Sequence, residues 1–169
     1  MDANSLRALQ APLKARYAAD PSDACITLRA TGWVDEQTIS CKVDTGRALA
    51  VAGLHPATGG SGLELCSGDM LLEALVACAG VTLKAGATAL EIPLEAAKVS
   101  AEGDLDFRGT LGVDKAARVG FAAIRLIFDV TSDAPQDKLD TLLRLTERYC
   151  VVLQTLSTPP ALDTALNRT

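Results

Sequence analysis

Ser67-Gly68-Asp69-Met70-Leu71-Leu72-Glu73-Ala74-Leu75-Val76-Ala77-Cys78-Ala79-Gly80-Val81-Thr82-Leu83-Lys84-Ala85-Gly86-Ala87-Thr88-Ala89-Leu90 is the stretch on which the fold turns. Leu, Ala, Val and Cys cover almost every face of a helix running from Gly68 to about Leu90, and a helix apolar all round belongs in the middle of a structure. Asp69 stands in its first turn, where a carboxylate suits the positive end of the helix dipole. Ala77, Ala79, Gly80, Ala85 and Gly86 let neighbouring backbones approach closely. Each glycine costs roughly 1 kcal/mol of helix propensity, which points to tight packing as the compensation. Between Met70 and Leu90 the longest charge-free run is the ten residues Ala74 to Leu83, too short to cross a bilayer. The segment reads as a buried helix.

Working outward toward the N-terminus, His55-Pro56-Ala57-Thr58-Gly59-Gly60-Ser61-Gly62 has neither strand nor helix period and reads as a flexible connection of the kind that borders sites. Before it, Ile26, Leu28, Trp33, Ile39, Cys41 and Val43, punctuated by Asp35-Glu36 and Thr45-Gly46, predict two or three antiparallel strands between Ala24 and Leu54. Leu6, Leu9, Leu13 and Tyr17 recur at spacings of three and four among polar residues, which predicts a short amphipathic helix over 5–18, ended by Pro21-Ser22-Asp23. On the C-terminal side the pattern predicts a three-stranded meander: a strand near 97–101, a turn at Glu102-Gly103, a strand near 105–111, a charged loop at 114–118 and a strand over 119–130. Asp133-Ala134-Pro135 opens a helix to about Tyr149 with Leu139, Leu142, Leu143 and Leu145 as its apolar stripe. Residues 150–156 are either its continuation or a second short helix, and Ser157-Thr158-Pro159-Pro160 ends regular structure. The order is that of an α+β protein, with two antiparallel strand groups on either side of a buried helix. The expected division is a helical extension over 1–22, one domain over 23–157 and a flexible tail over 158–169.

Composition narrows the partners. In 169 residues, 49% hydrophobic and 22% charged residues exclude a disordered chain, and the mean hydropathy of +0.21 hints at surface buried against another subunit. Sixteen Lys and Arg against 21 Asp and Glu, with no basic run, argue against nucleic acid and against an anionic membrane. Met1-Asp2-Ala3-Asn4 lacks the basic region and apolar core of a secretion signal, so the cytoplasm is the expected compartment. Five cysteines without CxxC spacing, and a single histidine, argue against a disulfide framework and against a zinc site. Reduced thiols, no metal and no cofactor are expected.

Two of those thiols stand where redox chemistry needs them. Cys78 lies within the central helix and Cys150 near the C-terminal helices, far apart in sequence but free to converge. A peroxide-reducing sulfur must be a thiolate held by a cation or by donors, and its resolving thiol must come within about 7 Å between Cα atoms. A cysteine among Ala, Val and Leu is otherwise a small hydrophobe. Cys25 and Cys41 are expected to face the core from strands, and Cys66 is a spare candidate for disulfide pairing.

Gly59-Gly60, the run Ser67 to Cys78, Glu102-Gly103-Asp104-Leu105-Asp106-Phe107-Arg108-Gly109 and Cys150-Val151-Val152-Leu153-Gln154-Thr155-Leu156 occur in this order. The set resembles the OsmC/Ohr family of thiol-dependent peroxidases, and lies closer to its divergent OsmC-like members than to Ohr itself. The resemblance covers about residues 24 to 156. It implies an OsmC-like fold, two antiparallel β-sheets wrapped around the long central helix, in an intertwined homodimer with active sites at the subunit boundary. It also implies that Cys78 attacks a peroxide, that Cys150 resolves the resulting sulfenic acid, and that an external dithiol restores both. Of the family's thiolate-holding arginine and the carboxylate that orients it, Asp69 matches the carboxylate, and Arg47, with Arg29 as the alternative, is the expected arginine. His55, Gly60 and Glu147 are expected at the substrate rim, although the bland readings of a loop residue for His55 and a solvated ion pair for Glu147 stay open. Where the family commonly has proline after the second cysteine, this chain has Val151. The competing expectation is a non-catalytic OsmC-like dimer that binds a small ligand or is purely structural, its buried thiols inert.

Overall fold

The structure, a computed structural model, describes residues 2–20, 25, 27, 31–34, 40–44 and 49–168. Helix α1 spans Ala3–Ala19, and the Asp2 carboxylate accepts from the Ser5 N–H at 2.7 Å to cap it. Strands β1 (Thr31–Val34), β2 (Ser40–Asp44) and β3 (Leu49–Gly53) form an antiparallel meander, with Thr31 opposite Asp44 and Lys42 opposite Val51. The short strand β4 (Leu65–Cys66) joins β3 in parallel, so this sheet is mixed. The 55–62 connection contains one 3-10 turn, Pro56–Thr58, because His55 Nδ1 accepts the Ala57 N–H at 3.0 Å and the His55 carbonyl accepts from Thr58 and Gly60.

Helix α2 runs Ser67–Ala89, as the apolar stretch predicts. Leu75, Ala79, Leu83 and Ala87, four residues apart, form its buried stripe. Burial is one-sided in the single chain: Leu71, Ala74 and Ala77 are exposed, and Val81 is 72% exposed. The helix packs against α4 (Gln136–Tyr149), α5 (Val151–Ser157) and a ribbon of two strands, β5 (Ala96–Leu105) and β6 (Phe121–Thr131). At Gly86 an added Cβ would stand 3.0 Å from Leu142 Cδ1, so the glycine is what lets α4 close on α2. Leu83, Ala87, Ile92 and Leu142 make one buried cluster, and Leu75, Ala79 and Cys150 make the other.

The expected three-stranded meander is corrected to that ribbon. Gly103 is no turn but a mid-strand residue opposite Ile124, kept as glycine because the Phe121 ring lies over it and leaves no space for a Cβ. Asp106 ends β5 by accepting from the Arg108 N–H at 3.0 Å and pairing with the Arg108 guanidinium, which starts the one-turn helix α3 (Phe107–Thr110) where a strand was expected. Local polar capping overrides the alternation of Leu105, Phe107 and Leu111.

Candidate functional site

Cys78 sits at the middle of α2, flanked by the buried Leu75 and Ala79, and packs against Cys150. Cys150 reaches it because α4 ends there. Its N–H still bonds the Thr146 carbonyl at 2.9 Å, but its φ of −73° and ψ of 105° are extended, and its own carbonyl then accepts the Gln154 N–H to start α5. Of the two sequence readings for 150–156, the structure adopts the second short helix. The break turns the Cys150 side chain fully inward.

The first N–H groups of a helix have no partner inside it. Here those of Val152 and Val151, at the start of α5, meet the Cys78 sulfur. Burial by itself pushes the Cys78 thiol up; the Val152 N–H, the Cys150 thiol, the Val151 N–H and the nearby Thr82 hydroxyl outweigh it and hold Cys78 below its ordinary value. At Cys150 burial pushes the thiol up, and its hydrogen bond to the Cys78 sulfur adds to the rise against the opposing Leu153 N–H. The two neighbours are thus driven apart: Cys78 toward thiolate, Cys150 toward a protonated donor. Both are free thiols. Such a pair combines a nucleophilic sulfur with a second sulfur in contact with it.

Asp69 is not brought to that pair. Nine residues before Cys78 on the same helix, it lies about 13 Å away along the axis and on the opposite side. It lines a separate hollow of about 390 Å³ with His55, Cys66, Phe107 and Phe121. His55 stacks on Phe107 with ring centroids 4.9 Å apart. Cys66, partly buried, is the residue from which α2 departs. Gly60 packs its Cα against the Leu54 backbone, where no Cβ fits. Glu147 is exposed on α4 and lines a different, larger groove of about 900 Å³ with Arg118, Leu71, Leu75 and Leu143. Cys25 is exposed and outside any strand, contrary to its expected core position, since β1 starts only at Thr31. Arg47 and Arg29 lie outside the described residues, and so does the side chain of Cys41. The N–H donors of Val151 and Val152 escaped the sequence reading because backbone donors leave no letter in the sequence. Their one trace is the absence of proline at 151. Among the described residues, no three His, Cys, Asp or Glu side chains gather to hold a metal.

A long apolar helix clasped by an α+β frame, carrying a cysteine against a second cysteine at a helix break, defines a paired-thiol protein of the OsmC/Ohr kind. The OsmC-like protein family matches residues 60–165, more than half of the chain, and the chain belongs to it. Among solved structures, an OsmC-like protein of Mycoplasma pneumoniae aligns with a TM-score of 0.65 at 17% identity, over 79% of this chain and 89% of that one. An organic hydroperoxide resistance protein OsmC of Legionella pneumophila gives 0.61 at 16%, over 79% and 90%. The organic hydroperoxide resistance protein OhrB of Bacillus subtilis gives 0.52 at 17%, over 79% and 93%. At such identities the likeness is one of fold. No curated protein matches the sequence significantly.

Proposed function

We propose that this chain is a cytoplasmic, homodimeric thiol peroxidase that reduces organic hydroperoxides or hydrogen peroxide. The observation that carries the reading is the contact between Cys78 and Cys150, with the pair's proton affinities driven in opposite directions. Family membership and the organic hydroperoxide resistance proteins among its structural neighbours agree with it. The Cys78 thiolate attacks the outer peroxide oxygen; the O–O bond breaks, Cys78 becomes the sulfenic acid, and the inner oxygen takes a proton and leaves as an alcohol from an organic hydroperoxide or as water from hydrogen peroxide. Cys150 then attacks the sulfenic sulfur, forming a disulfide and releasing water. An external dithiol supplies the two electrons that return both thiols.

The homodimer draws support from the uncovered face of α2, where Leu71, Ala74, Ala77 and Val81 stand in solvent. Because Asp69 faces away from the Cys78 of its own chain, it serves a thiolate only across the subunit boundary, together with Arg47. His55 lines the same hollow as Asp69, Gly60 belongs to the connection that follows His55, and Glu147 stands at the rim of the larger groove. A second reading, inert thiols in a ligand-binding or structural dimer, draws on the complete burial of Cys150. One equivalent of an organic hydroperoxide added to the reduced protein, followed by non-reducing peptide mass mapping, separates the two. A Cys78–Cys150 cross-link absent from Cys78→Ser is the expected result; thiols that alkylate only after denaturation refute the peroxidase.

A further inference from the structure

Threonines inside the helices of this chain direct their hydroxyls in one way. Thr82, Thr88, Thr141 and Thr155 each donate to the carbonyl four residues back, at 2.7, 2.8, 2.9 and 2.8 Å, the ordinary back-bond of a helical threonine. Thr82 differs in what lies beside it. The carbonyl it bonds belongs to Cys78, and residues four apart on a helix are neighbours on one face. Its Oγ1 therefore stands over the turn that carries the reacting sulfur, within hydrogen-bond reach of it. Thr82 is partly buried, as Cys78 is.

One proton then has two possible acceptors. A hydroxyl has a single O–H, and a neutral thiol sulfur is a weak acceptor, so while Cys78 is a thiol the O–H rests on the carbonyl, as observed. A thiolate is charged, and hydrogen bonds to charged acceptors are roughly twice as strong as those to neutral ones. Leaving the carbonyl costs little. Cys78 and Thr82 lie in the interior of α2, where the Thr82 N–H keeps the Cys78 carbonyl paired through the helix ladder. The move is a rotation about Cβ–Oγ1 and needs no change of backbone. The N–H groups of Val151 and Val152 lack this freedom, since they are fixed in the backbone of α5.

We propose that Thr82 is a switchable donor for the reacting sulfur: its hydroxyl rests on the Cys78 carbonyl while Cys78 is a thiol and turns onto the sulfur when the proton leaves. This rests on Cys78 as the nucleophile of the preceding section but not on a peroxide as its target. Thr82→Val removes the hydroxyl at nearly the same shape, and Thr82→Ser retains it. The readout is the pH profile of Cys78 alkylation by iodoacetamide in the reduced, full-length protein. Thr82→Val should move the profile to higher pH, with about fivefold less thiolate at a given pH below the midpoint, and Thr82→Ser should follow the parent. A Thr82→Val profile superimposed on the parent's overturns the proposal, as does a Thr82→Ser profile displaced as far as that of Thr82→Val. The parent itself gives a second test by nuclear magnetic resonance with isotopically labelled threonine. The Thr82 Cβ resonance should titrate with the Cys78 midpoint, while that of Thr88, back-bonded in the same helix, should not; a Thr82 resonance that stays in place overturns the proposal. Failure of the peroxidase reading shows separately, as a parent protein that forms no Cys78–Cys150 cross-link with hydroperoxide whatever the alkylation profiles do.

Discussion

Replacing Val151 by proline removes one backbone N–H from the Cys78 sulfur and almost nothing else. Val151 is the first residue of α5, a position proline favours, and Cys150 before it already has the extended φ of −73° and ψ of 105° that a residue preceding proline needs. The Val151 side chain is exposed. A hydrogen bond to a charged group contributes about 1.5–3 kcal/mol, and the part-exposed setting of Cys78 argues for the lower end. With 1.36 kcal/mol to each factor of ten, Val151→Pro should reduce the thiolate-to-thiol ratio of Cys78 about tenfold at any pH below its titration. The assay is the pH profile of Cys78 alkylation by iodoacetamide, followed on the Cys78 peptide by mass spectrometry, with circular dichroism to show that the helices persist. Val151→Ala keeps the N–H and should leave the profile where it is. If the proline variant folds and its profile superimposes on the parent's, the N–H groups of α5 do not hold the thiolate and the reasoning is wrong.

Other expectations follow from the same geometry. Because the folded state depresses the Cys78 thiol, its contribution to stability is present above the unfolded thiol's titration and is lost as pH falls through the folded value; Cys150, raised in the fold, contributes below the unfolded titration and loses that as pH rises through its folded value. Urea midpoints of Cys78→Ser and Cys150→Ser against the parent, across that range, should therefore change with pH in opposite senses. Leu142→Ala, which empties the buried contact across Gly86, should cost about 2–5 kcal/mol in urea unfolding. Asp69→Asn should slow peroxide turnover while leaving a disulfide between Cys78 and Cys150 within reach; turnover equal to the parent's would remove Asp69 from the site. Gly60→Ala, with no space for the Cβ beside Leu54, should lower the melting temperature, and an unchanged value would show that the 55–62 connection yields freely.

The parts of the fold that were legible are those with long, uninterrupted periodicity. α2 and α4 read directly, since their apolar residues leave few alternatives over 23 and 14 residues. The β5–β6 ribbon was misread because glycine carries two meanings. At Gly103 it accommodates an aromatic ring lying across the strand instead of a chain reversal. Asp106 and Arg108 form a one-turn cap that no hydrophobic pattern announces. In the site, both cysteines were legible as residues, and their contact was not.

The sequence by itself determined the α+β order, the long apolar helix, and the family, because these rest on residue types at fixed spacings along one chain. It also named Cys78 and Cys150 as the candidates for chemistry. Only the tertiary structure decided that the two come into one buried cluster, that Asp69 faces away from them, and that the start of α5 holds the Cys78 thiol below its ordinary value while burial raises that of Cys150. Those outcomes depend on where α4 breaks and how the first N–H groups of α5 point, which are backbone directions set by packing against α2 and not by any side chain the sequence spells out.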